Sequence, residues 1–541
     1  MGYRCLLIYL ALVCCVPIQA ADKLDMLWSE PVLYRGMGTH SFSIQSENPL
    51  AQKYFDQALV LWYGYNYPEA ARSFRQASRL DPNRAIYHWG EALSLARAIE
   101  SSGDHWNVAA VSALQKAKDR LPERSEKLSD LIEALAIRYR KTAKGYAIDD
   151  EAYVNRMKRL VRKYPDDPDV YALYAKAHMD SVNMMASMKE GQPTGASKEI
   201  LDALEMGLSL DPRHPGLLHF QIHALENAGL SSKGEPAADA LLGVVPGSGH
   251  LQHMPAHIYF YVGRYHDATA ANLLGIQADE ALFAQGGVKQ PEYGGFYLHN
   301  HYYLFDCLIM EGRSKELMSV AQDLVRKVQS GEYPSDVRLR NTFLSVPYLT
   351  MARLGKWDQI RRLPAPDPEL FYATGAWQYA KGLAAVRSGN LQAAKRSLTQ
   401  LAQSQKNYEQ ENPHDAMADL LTLCELDLSS QIAEAEGNTG RQIELLSKAI
   451  AIEDGIYLHM LPWYFPLRLA IGDALLKAGD PETAEQAFRD DLNRHPNNPW
   501  ALYGLAEALQ AQGKIQEAKR VADELETAWQ YADFALNGAR F

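Results

Sequence analysis

The stretch AQKYFDQALVLWYGYNYPEAARSFRQASRLDP, residues 51–82, decides the fold of this chain. Small and apolar residues recur in it every three or four positions, at Tyr54, Ala58, Leu61, Ala70, Phe74 and Ala77. This spacing puts each set of three on one face of an α-helix, and the alanines let two helices approach closely. Pro82 cannot continue the second helix, so it marks where the next unit begins. The stretch therefore predicts a pair of packed helices.

The same pattern returns along the chain. It recurs at Ala110, Leu114 and Ala117, at Gly472, Leu475, Ala484 and Phe488, and at Ala506, Ala518, Ala522 and Leu525. These spacings resemble the tetratricopeptide repeat (TPR) family, in which each unit is a helix pair of about 34 residues. Each pair buries its apolar face only against its neighbours. The resemblance therefore implies an all-α fold of TPR-type helix-turn-helix repeats, stacked as an α-solenoid superhelix with a concave groove. No alternating strand pattern bounded by hairpin turns is evident, so strands are not expected.

The chain divides into four predicted segments. These are a cleaved signal peptide (1–20), an N-terminal extension (21–48), an N-terminal TPR array with histidine-rich middle repeats (49–330) and a C-terminal TPR array (331–541). Arg4, the apolar run 6–16 and the small residues around Ala20 have the layout of a secretory signal. The run is too short for a comfortable transmembrane span. We therefore expect an exported protein, periplasmic or secreted, with no transmembrane segment in the mature chain.

The bulk composition narrows the function classes. The 541 residues carry a formal net charge of −11, and the sequence has no long run of Lys or Arg. Nucleic acids and anionic membranes reward clustered cations, so neither is expected as a main partner. Only Cys307 and Cys424 lie outside the predicted signal peptide, both in apolar helical patterns. We expect buried free thiols rather than a disulfide framework.

The histidines are concentrated in one part of the chain. Nine of the sixteen fall between His214 and His301. One group at helical spacing i, i+4, i+7 consists of His219, His223 and Glu226, and a second at i, i+3, i+7 consists of His250, His253 and His257. Each group shares one helical face, although Pro255 interrupts the second. His299 lies near the expected start of the next first helix, and Tyr302 can share its face.

Three consecutive first helices of a TPR array lie side by side, about 10 Å apart. Their side chains can converge on a metal ion, and the predicted ligands are His219, His223, Glu226, His250, His253, His257 and His299. Histidine and carboxylate without thiolate suit a transition metal such as Zn, Fe or Cu. Six or more ligands exceed the needs of one tetrahedral ion, which leaves open a second ion, outer-shell histidines or an open catalytic position. A polar groove for organic ligands and a purely structural role are the alternatives.

The chain also resembles a group of bacterial TPR proteins that are often exported. The resemblance covers roughly residues 50–320, and its blocks are Tyr54–Gln57 with Asn66, His219–Glu226, Gly249–His257, His299-Asn300 and Met310–Gly312. It implies that the histidine blocks form one functional unit, and it implies no particular activity. This chain departs from the group at two positions. Tyr302 stands where a second histidine is expected, which puts one ligand in doubt, and Leu218 stands where Asn is frequent.

Three functions fit these patterns. The first is an exported TPR scaffold that binds a protein or peptide partner in its groove and carries the histidine-rich metal site. The second is a metal-dependent enzyme, a hydrolase or an oxidoreductase. In that enzyme Glu226 is the candidate general base, and Tyr259, His301 and Tyr302 are candidate ligand contacts. The third is a metal-storage protein that uses the methionine-rich stretch 179–188. No Gly-rich phosphate loop occurs in the sequence, so no nucleotide cofactor is expected.

Overall fold

The structure is a computed structural model. It describes residues 30–44, 46–96, 104–121, 126–143, 145–286, 291–330, 337–413, 415–456, 463 and 466–540. The predicted signal peptide lies outside these residues. Within them, no helix has the length and apolar character needed to cross a membrane. Nearly all of the regular structure is α-helical, which confirms the predicted all-α class.

The described residues form two compact units. The N-terminal unit contains the residues up to Tyr259 together with Ala270–Asn300. The C-terminal unit contains Phe260–Thr269 and the residues from His301 onward. Within each unit, consecutive helices pack against one another in pairs, as TPR repeats do.

The first part of the chain forms helices α1 (Pro49–Tyr63), α2 (Tyr67–Leu80), α3 (Ala85–Leu95), α4 (Asp104–Asp119), α5 (Glu126–Ile137), α6 (Asp150–Lys163), α7 (Pro168–Ser181), α8 (Gly195–Leu210), α9 (Pro215–Asn227), α10 (Glu235–Leu241), α11 (Gly249–His253), α12 (Pro255–Tyr261), α13 (Tyr265–Ala284) and α14 (Pro291–Met310). The remainder forms helices α15 (Ser314–Gln329), α16 (Val337–Arg353), α17 (Trp357–Arg362), α18 (Phe371–Arg387), α19 (Leu391–Glu411), α20 (Ala416–Ala435), α21 (Thr439–Glu453), α22 (Leu467–Lys477), α23 (Pro481–Arg494), α24 (Pro499–Ala511) and α25 (Ile515–Ala528).

Polar caps followed by proline set many of the helix starts. The Asn48 side chain accepts a hydrogen bond from the Leu50 amide at 3.0 Å, and Pro49 fills the first helical position. At the start of α9, His214 Nδ1 accepts from the Leu217 amide at 3.1 Å. Such caps satisfy amide groups that have no partner within the helix, and proline loses nothing at this position. The steps Asp167-Pro168, His214-Pro215 and Asp480-Pro481 likewise place a capping side chain directly before a helix that begins with proline.

Small residues at the predicted positions bring paired helices together. Phe488 of α23 is fully buried between Gly472 of α22 and Gly504 of α24. A Cβ atom at Gly472 would lie 2.5 Å from the Phe488 ring, and one at Gly504 would lie 2.3 Å from it. Both distances are far below van der Waals contact, so only glycine allows this packing. Phe74 is likewise fully buried, as its place in residues 51–82 predicts.

Two short antiparallel ladders correct the expectation that strands are absent. β1 (Tyr139–Thr142) pairs with β2 (Gly145–Ile148), and β3 (Met188–Lys189) pairs with β4 (Gln192–Pro193). Gly145 and Gly191 adopt positive φ values of 128° and 73°, which tight turns need and glycine tolerates. Each ladder is too short to show an alternating pattern in the sequence.

The connection between α13 and α14 spans residues 285–290. α13 continues to Ala284, and α14 already begins at Pro291, so the pair Gly294-Gly295 is helical. Proline at the first position favours this early start. As a consequence, His299 lies inside α14 rather than near its beginning.

Candidate metal centre

Three consecutive first helices of the N-terminal unit bring the seven predicted ligands together. α9 carries His219, His223 and Glu226, the adjoining helices α11 and α12 carry His250, His253 and His257, and α14 carries His299. All seven residues are buried, and the most exposed of them, His223, is 9% exposed. The spacings read from the sequence thus place these residues in one buried cluster.

The first group of ligands consists of His253, His257 and His299, and we call it the inner triad. One atom from each residue lies within 4.8 Å of the other two. His253 Nε2 is 2.9 Å from His257 Nε2, and His257 Nε2 is 3.2 Å from His299 Nε2. The three Nε2 atoms therefore point at a common place.

The second group consists of His219, His223 and His250, and we call it the outer triad. Its ligand atoms also lie within 4.8 Å of one another. The Nε2 atoms of His219 and His250 are 3.1 Å apart. Buried His223 Nε2 and His250 Nδ1 have no hydrogen-bond partner among the described residues. The outer triad thus offers buried nitrogen atoms that no described residue satisfies.

Surrounding groups fix the tautomers of three histidines. His257 Nδ1 lies 2.9 and 3.0 Å from the two carboxylate oxygens of Glu226, and His253 Nδ1 lies 2.6 Å from Asn272 Oδ1. His219 Nδ1 lies 2.6 Å from the carbonyl oxygen of Tyr63. These oxygens accept hydrogen bonds, so each Nδ1 carries the proton and each Nε2 keeps its lone pair. Glu226 therefore orients His257, an arrangement typical of residues behind metal-binding histidines.

The electrostatic environment favours neutral imidazoles. Burial lowers the pKa of four of them well below the ordinary value: His219, His250, His253 and His299. Burial also lowers the pKa of His223. For Glu226, burial alone would raise the pKa, but the imidazoles of His257 and His223 hold it well below its usual range. These five histidines are therefore held in the neutral form, which is the form that binds metals, close to the Glu226 carboxylate.

Sequence reasoning missed Tyr65 as part of this cluster. Its ring stacks on His223 and His250, with centroids 5.6 and 5.2 Å apart. Tyr65 has a φ of 59°, in the left-handed region that tyrosine rarely adopts. The ammonium of buried Lys176 lies 4.9 Å from the ring centroid. In the sequence Tyr65 is one member of an aromatic run, and no local signal separates it from packing residues.

The three candidate ligand contacts lie in different surroundings. Tyr259, in the N-terminal unit, donates its hydroxyl to Asp239 at 2.7 Å. His301 and Tyr302 belong to the C-terminal unit and are both buried. Tyr302 stacks on Phe343 with ring centroids 5.2 Å apart.

A further cluster of possible ligands, formed by His40, Asp169 and His214, is a closed hydrogen-bond network. His214 Nδ1 accepts from a backbone amide, so its Nε2 carries the proton and donates to Asp169 Oδ1 at 3.1 Å. His40 Nε2 lies 3.1 Å from the same oxygen, and Tyr63 donates its hydroxyl to it at 2.5 Å. A buried carboxylate that accepts hydrogen bonds from several side chains stabilises the fold, so this cluster has a structural role. It also helps to hold Tyr63, whose carbonyl oxygen orients His219.

Comparison with known proteins identifies the repeats. Family models of the tetratricopeptide repeat match residues 55–123 and 475–528. The cellulose synthase operon protein C of Xanthomonas axonopodis pv. citri (strain 306) is 33% identical over 99 residues, which are 18% of this chain and 6% of that relative. The chain therefore spans a small fraction of that relative's length. These matches confirm the predicted TPR protein, and the relative is bacterial.

The solved structures that match most of this chain share little sequence with it. A human IFIT1 dimer with PPP-AAAA is 14% identical, has a TM-score of 0.33, and the match covers 89% of this chain and 91% of that chain. The APC/C hetero-tetramer Cut9-Hcn1 is 12% identical, has a TM-score of 0.28, and the match covers 90% of this chain and 75% of that chain.

Proposed function

We propose that this protein is an exported TPR scaffold whose middle repeats hold two transition-metal ions, one at each histidine triad. The observation that carries the proposal is the contact between Nε2 atoms in the inner triad. His257 Nε2 bears a lone pair, because Glu226 holds the proton on Nδ1, and two further Nε2 atoms approach it at 2.9 and 3.2 Å. His253 Nε2 bears a lone pair as well, because Asn272 holds the proton on its Nδ1, so no hydrogen bond can form between these two atoms, whereas a cation satisfies all three nitrogens together.

The spacing of the nitrogens supports an ion in the inner triad. Imidazole nitrogens bound to Zn lie about 2.0–2.1 Å from the ion, so two ligands at a tetrahedral angle are about 3.3 Å apart. The distances of 2.9 and 3.2 Å within the inner triad are close to this value. All the donors are imidazoles, with carboxylate and amide groups behind them. This donor set suits Zn, Fe or Cu and disfavours Ca and Mg.

A second candidate function is a metal-dependent hydrolase or oxidoreductase. The supporting observation is that each triad supplies three protein ligands. Three ligands leave one position of a tetrahedral ion for water or a substrate, as in catalytic rather than structural zinc sites. Turnover of ester, phosphoester or oxidisable substrates by the metal-loaded protein, lost in a triad variant, would favour this function over a purely binding scaffold.

The TPR repeats support binding of a protein or peptide partner, because stacked repeats provide extended surfaces for such partners. Export rests on the layout of residues 1–20. Sequencing the N-terminus of protein recovered from the periplasm or the culture medium tests it directly. A start near Ala21 is expected, and a chain retained in the cytoplasm with Met1 would contradict export.

Metal content tests the centre itself. We expect about two transition-metal ions per chain in the purified protein or after loading with Zn, Cu or Fe, measured by mass spectrometry. The double variant His253→Ala, His257→Ala should lose at least the inner ion. His266→Ala is the matched control, because His266 is a half-exposed histidine bonded to Glu311 and should leave the content unchanged. Absence of tightly held metal in the wild type under all loading conditions would overturn the proposal.

A further inference from the structure

A separate cavity lies within the C-terminal unit. Its volume is about 330 Å³, which falls in the range of small-molecule binding sites. Its apolar and aromatic lining includes Phe260, Tyr261, Ile309, Met310 and Trp463. The acidic groups that line it are Asp306, Glu453 and Asp491. The cavity therefore combines an aromatic and aliphatic wall with carboxyl groups.

Asp306 differs from the other acidic residues of this cavity because its carboxyl group has no partner among the described residues. It lies on α14, and its carboxyl group makes no hydrogen bond or ion pair with any residue that the structure describes. Burial raises its pKa well above the ordinary value. A mostly buried carboxyl group without a partner costs stability, so its presence in a cavity calls for an explanation.

The other two carboxyl groups already have partners. Glu453 Oε1 accepts from the Trp463 indole at 2.9 Å and from the Leu467 amide at 3.1 Å. Asp491 accepts from the Asn498 side chain at 2.6 Å and pairs with His495 at 3.2 Å. Asp306 alone among the three therefore has its full bonding capacity available to a ligand.

The guanidinium groups along the cavity are also engaged. Arg353 donates to the Arg540 carbonyl oxygen at 2.8 Å and stacks over Trp500, 3.8 Å from the ring centroid. Arg468 and Arg494 both bond to Asp454, at 2.8 and 2.9 Å. Since these guanidinium groups have partners and Asp306 has none among the described residues, the cavity is better suited to a positive ligand than to an anion.

We propose that this cavity binds an organic amine whose ammonium group pairs with Asp306 and whose apolar part packs among Phe260, Tyr261 and Met310. Ammonium groups are attracted to carboxylates and to aromatic rings, and the cavity offers both. A cation here also supplies the charge that a buried carboxylate needs. The proposed site belongs to the C-terminal unit and its binding does not require metal at the histidine triads.

Calorimetric titration with matched probes tests the proposal. The amines are 2-phenylethylamine, tyramine and 1,5-diaminopentane; the neutral and anionic counterparts are 2-phenylethanol and phenylacetate. We expect saturable binding of at least one amine and at least tenfold weaker binding of both counterparts. Absence of saturation by every amine up to about 10 mM, which corresponds to about −2.7 kcal/mol, would overturn the proposal.

Two variants assign the binding to Asp306. Asp306→Asn keeps the shape of the side chain and should weaken amine binding at least tenfold. Its thermal midpoint should equal or exceed that of the wild type, since a neutral amide removes a buried charge. Glu425→Gln is the matched control, because Glu425 is a partly buried carboxyl group whose pKa is raised by burial and which does not line the cavity. Equal amine affinity in wild type and Asp306→Asn, or equal loss in both variants, would refute the role of Asp306.

Discussion

The substitution Glu226→Gln tests how the centre holds its metal without removing a histidine. Glu226 is 4% exposed, and both its oxygens lie within 3.0 Å of His257 Nδ1. Glutamine keeps the length of the side chain and one accepting oxygen. It removes the negative charge and places an NH₂ group beside His223, whose Nδ1 lies 3.8 Å from Glu226 Oε2. The variant therefore changes the charge behind the ligand and little else.

The expected loss of Zn affinity follows from the hydrogen bond between His257 Nδ1 and residue 226, whose acceptor changes from a charged to a neutral oxygen. A bond to a charged acceptor contributes about 1.5–3 kcal/mol and a neutral bond about 0.5–1.5 kcal/mol, so the substitution removes about 1–1.5 kcal/mol. That loss is about five- to thirteenfold in affinity. The carboxylate also makes His257 a stronger donor to the ion, and changes behind metal ligands usually lower affinity by about 10–100-fold. We expect the dissociation constant for Zn at the inner triad to rise by about tenfold to a hundredfold.

Competition with a chromophoric chelator at neutral pH measures this constant. Glu311→Gln is the matched control, because Glu311 is also buried and also bonds to a histidine, His266 Nδ1, at 2.7 Å. It lies in the C-terminal unit and should leave Zn affinity unchanged. Glu226→Gln affinity within twofold of the wild type would refute the view that Glu226 orients His257. The same loss in both variants would point instead to a general effect on folding.

Three further predictions concern Asn272, Glu453 and Gly504. Asn272→Leu removes the oxygen 2.6 Å from His253 Nδ1 and should weaken Zn binding about tenfold in the same assay. Burial raises the pKa of Glu453 to about 7 from 4.5. The folded state therefore keeps this proton longer than the unfolded state does, and the associated stability, complete below about pH 4.5, is lost as the pH rises through about 7. Urea unfolding of Glu453→Gln should show a flatter pH dependence over that range. Gly504→Ala places a Cβ 2.3 Å from the Phe488 ring and should cost about 1–3 kcal/mol in urea unfolding, whereas Gly440→Ala meets no atom within 4 Å and should be neutral or stabilising.

Helical periodicity explains why so much of the fold follows from the sequence. The apolar positions of residues 51–82 recur in phase elsewhere, and a repeat pattern fixes both the helix pairs and their neighbours. Phe74 and Phe488 are accordingly fully buried. The sequence did not predict the short ladder between β1 and β2 or the early start of α14 at Pro291. Both depend on a few residues and on tertiary contacts, so the periodic pattern carries no signal for them.

The sequence could predict which histidines lie in the candidate centre, but it could not predict how their rings are oriented. Spacings of three, four and seven place His219 and His223 on one helical face, and the TPR arrangement makes α9 the neighbour of the next first helix. The groups that orient the rings carry no such pattern. The Tyr63 carbonyl oxygen belongs to the backbone, 156 residues away from His219. Asn272 is on α13 and resembles any polar helical residue, so its role appears only when the helices are packed.

Packing alone gives no reason for six buried imidazoles in adjacent helices. Burying a polar group without a hydrogen bond costs about 1–3 kcal/mol in proteins, and a leucine at the same position would avoid that cost. His223 Nε2 and His250 Nδ1 are buried without a partner among the described residues. An ion that binds only the folded state offsets this cost and adds stability that grows with the concentration of free metal. Metal loading should therefore raise the thermal midpoint of the wild type. The variant His253→Ala, His257→Ala has two fewer buried imidazoles, so it should depend less on metal for its stability.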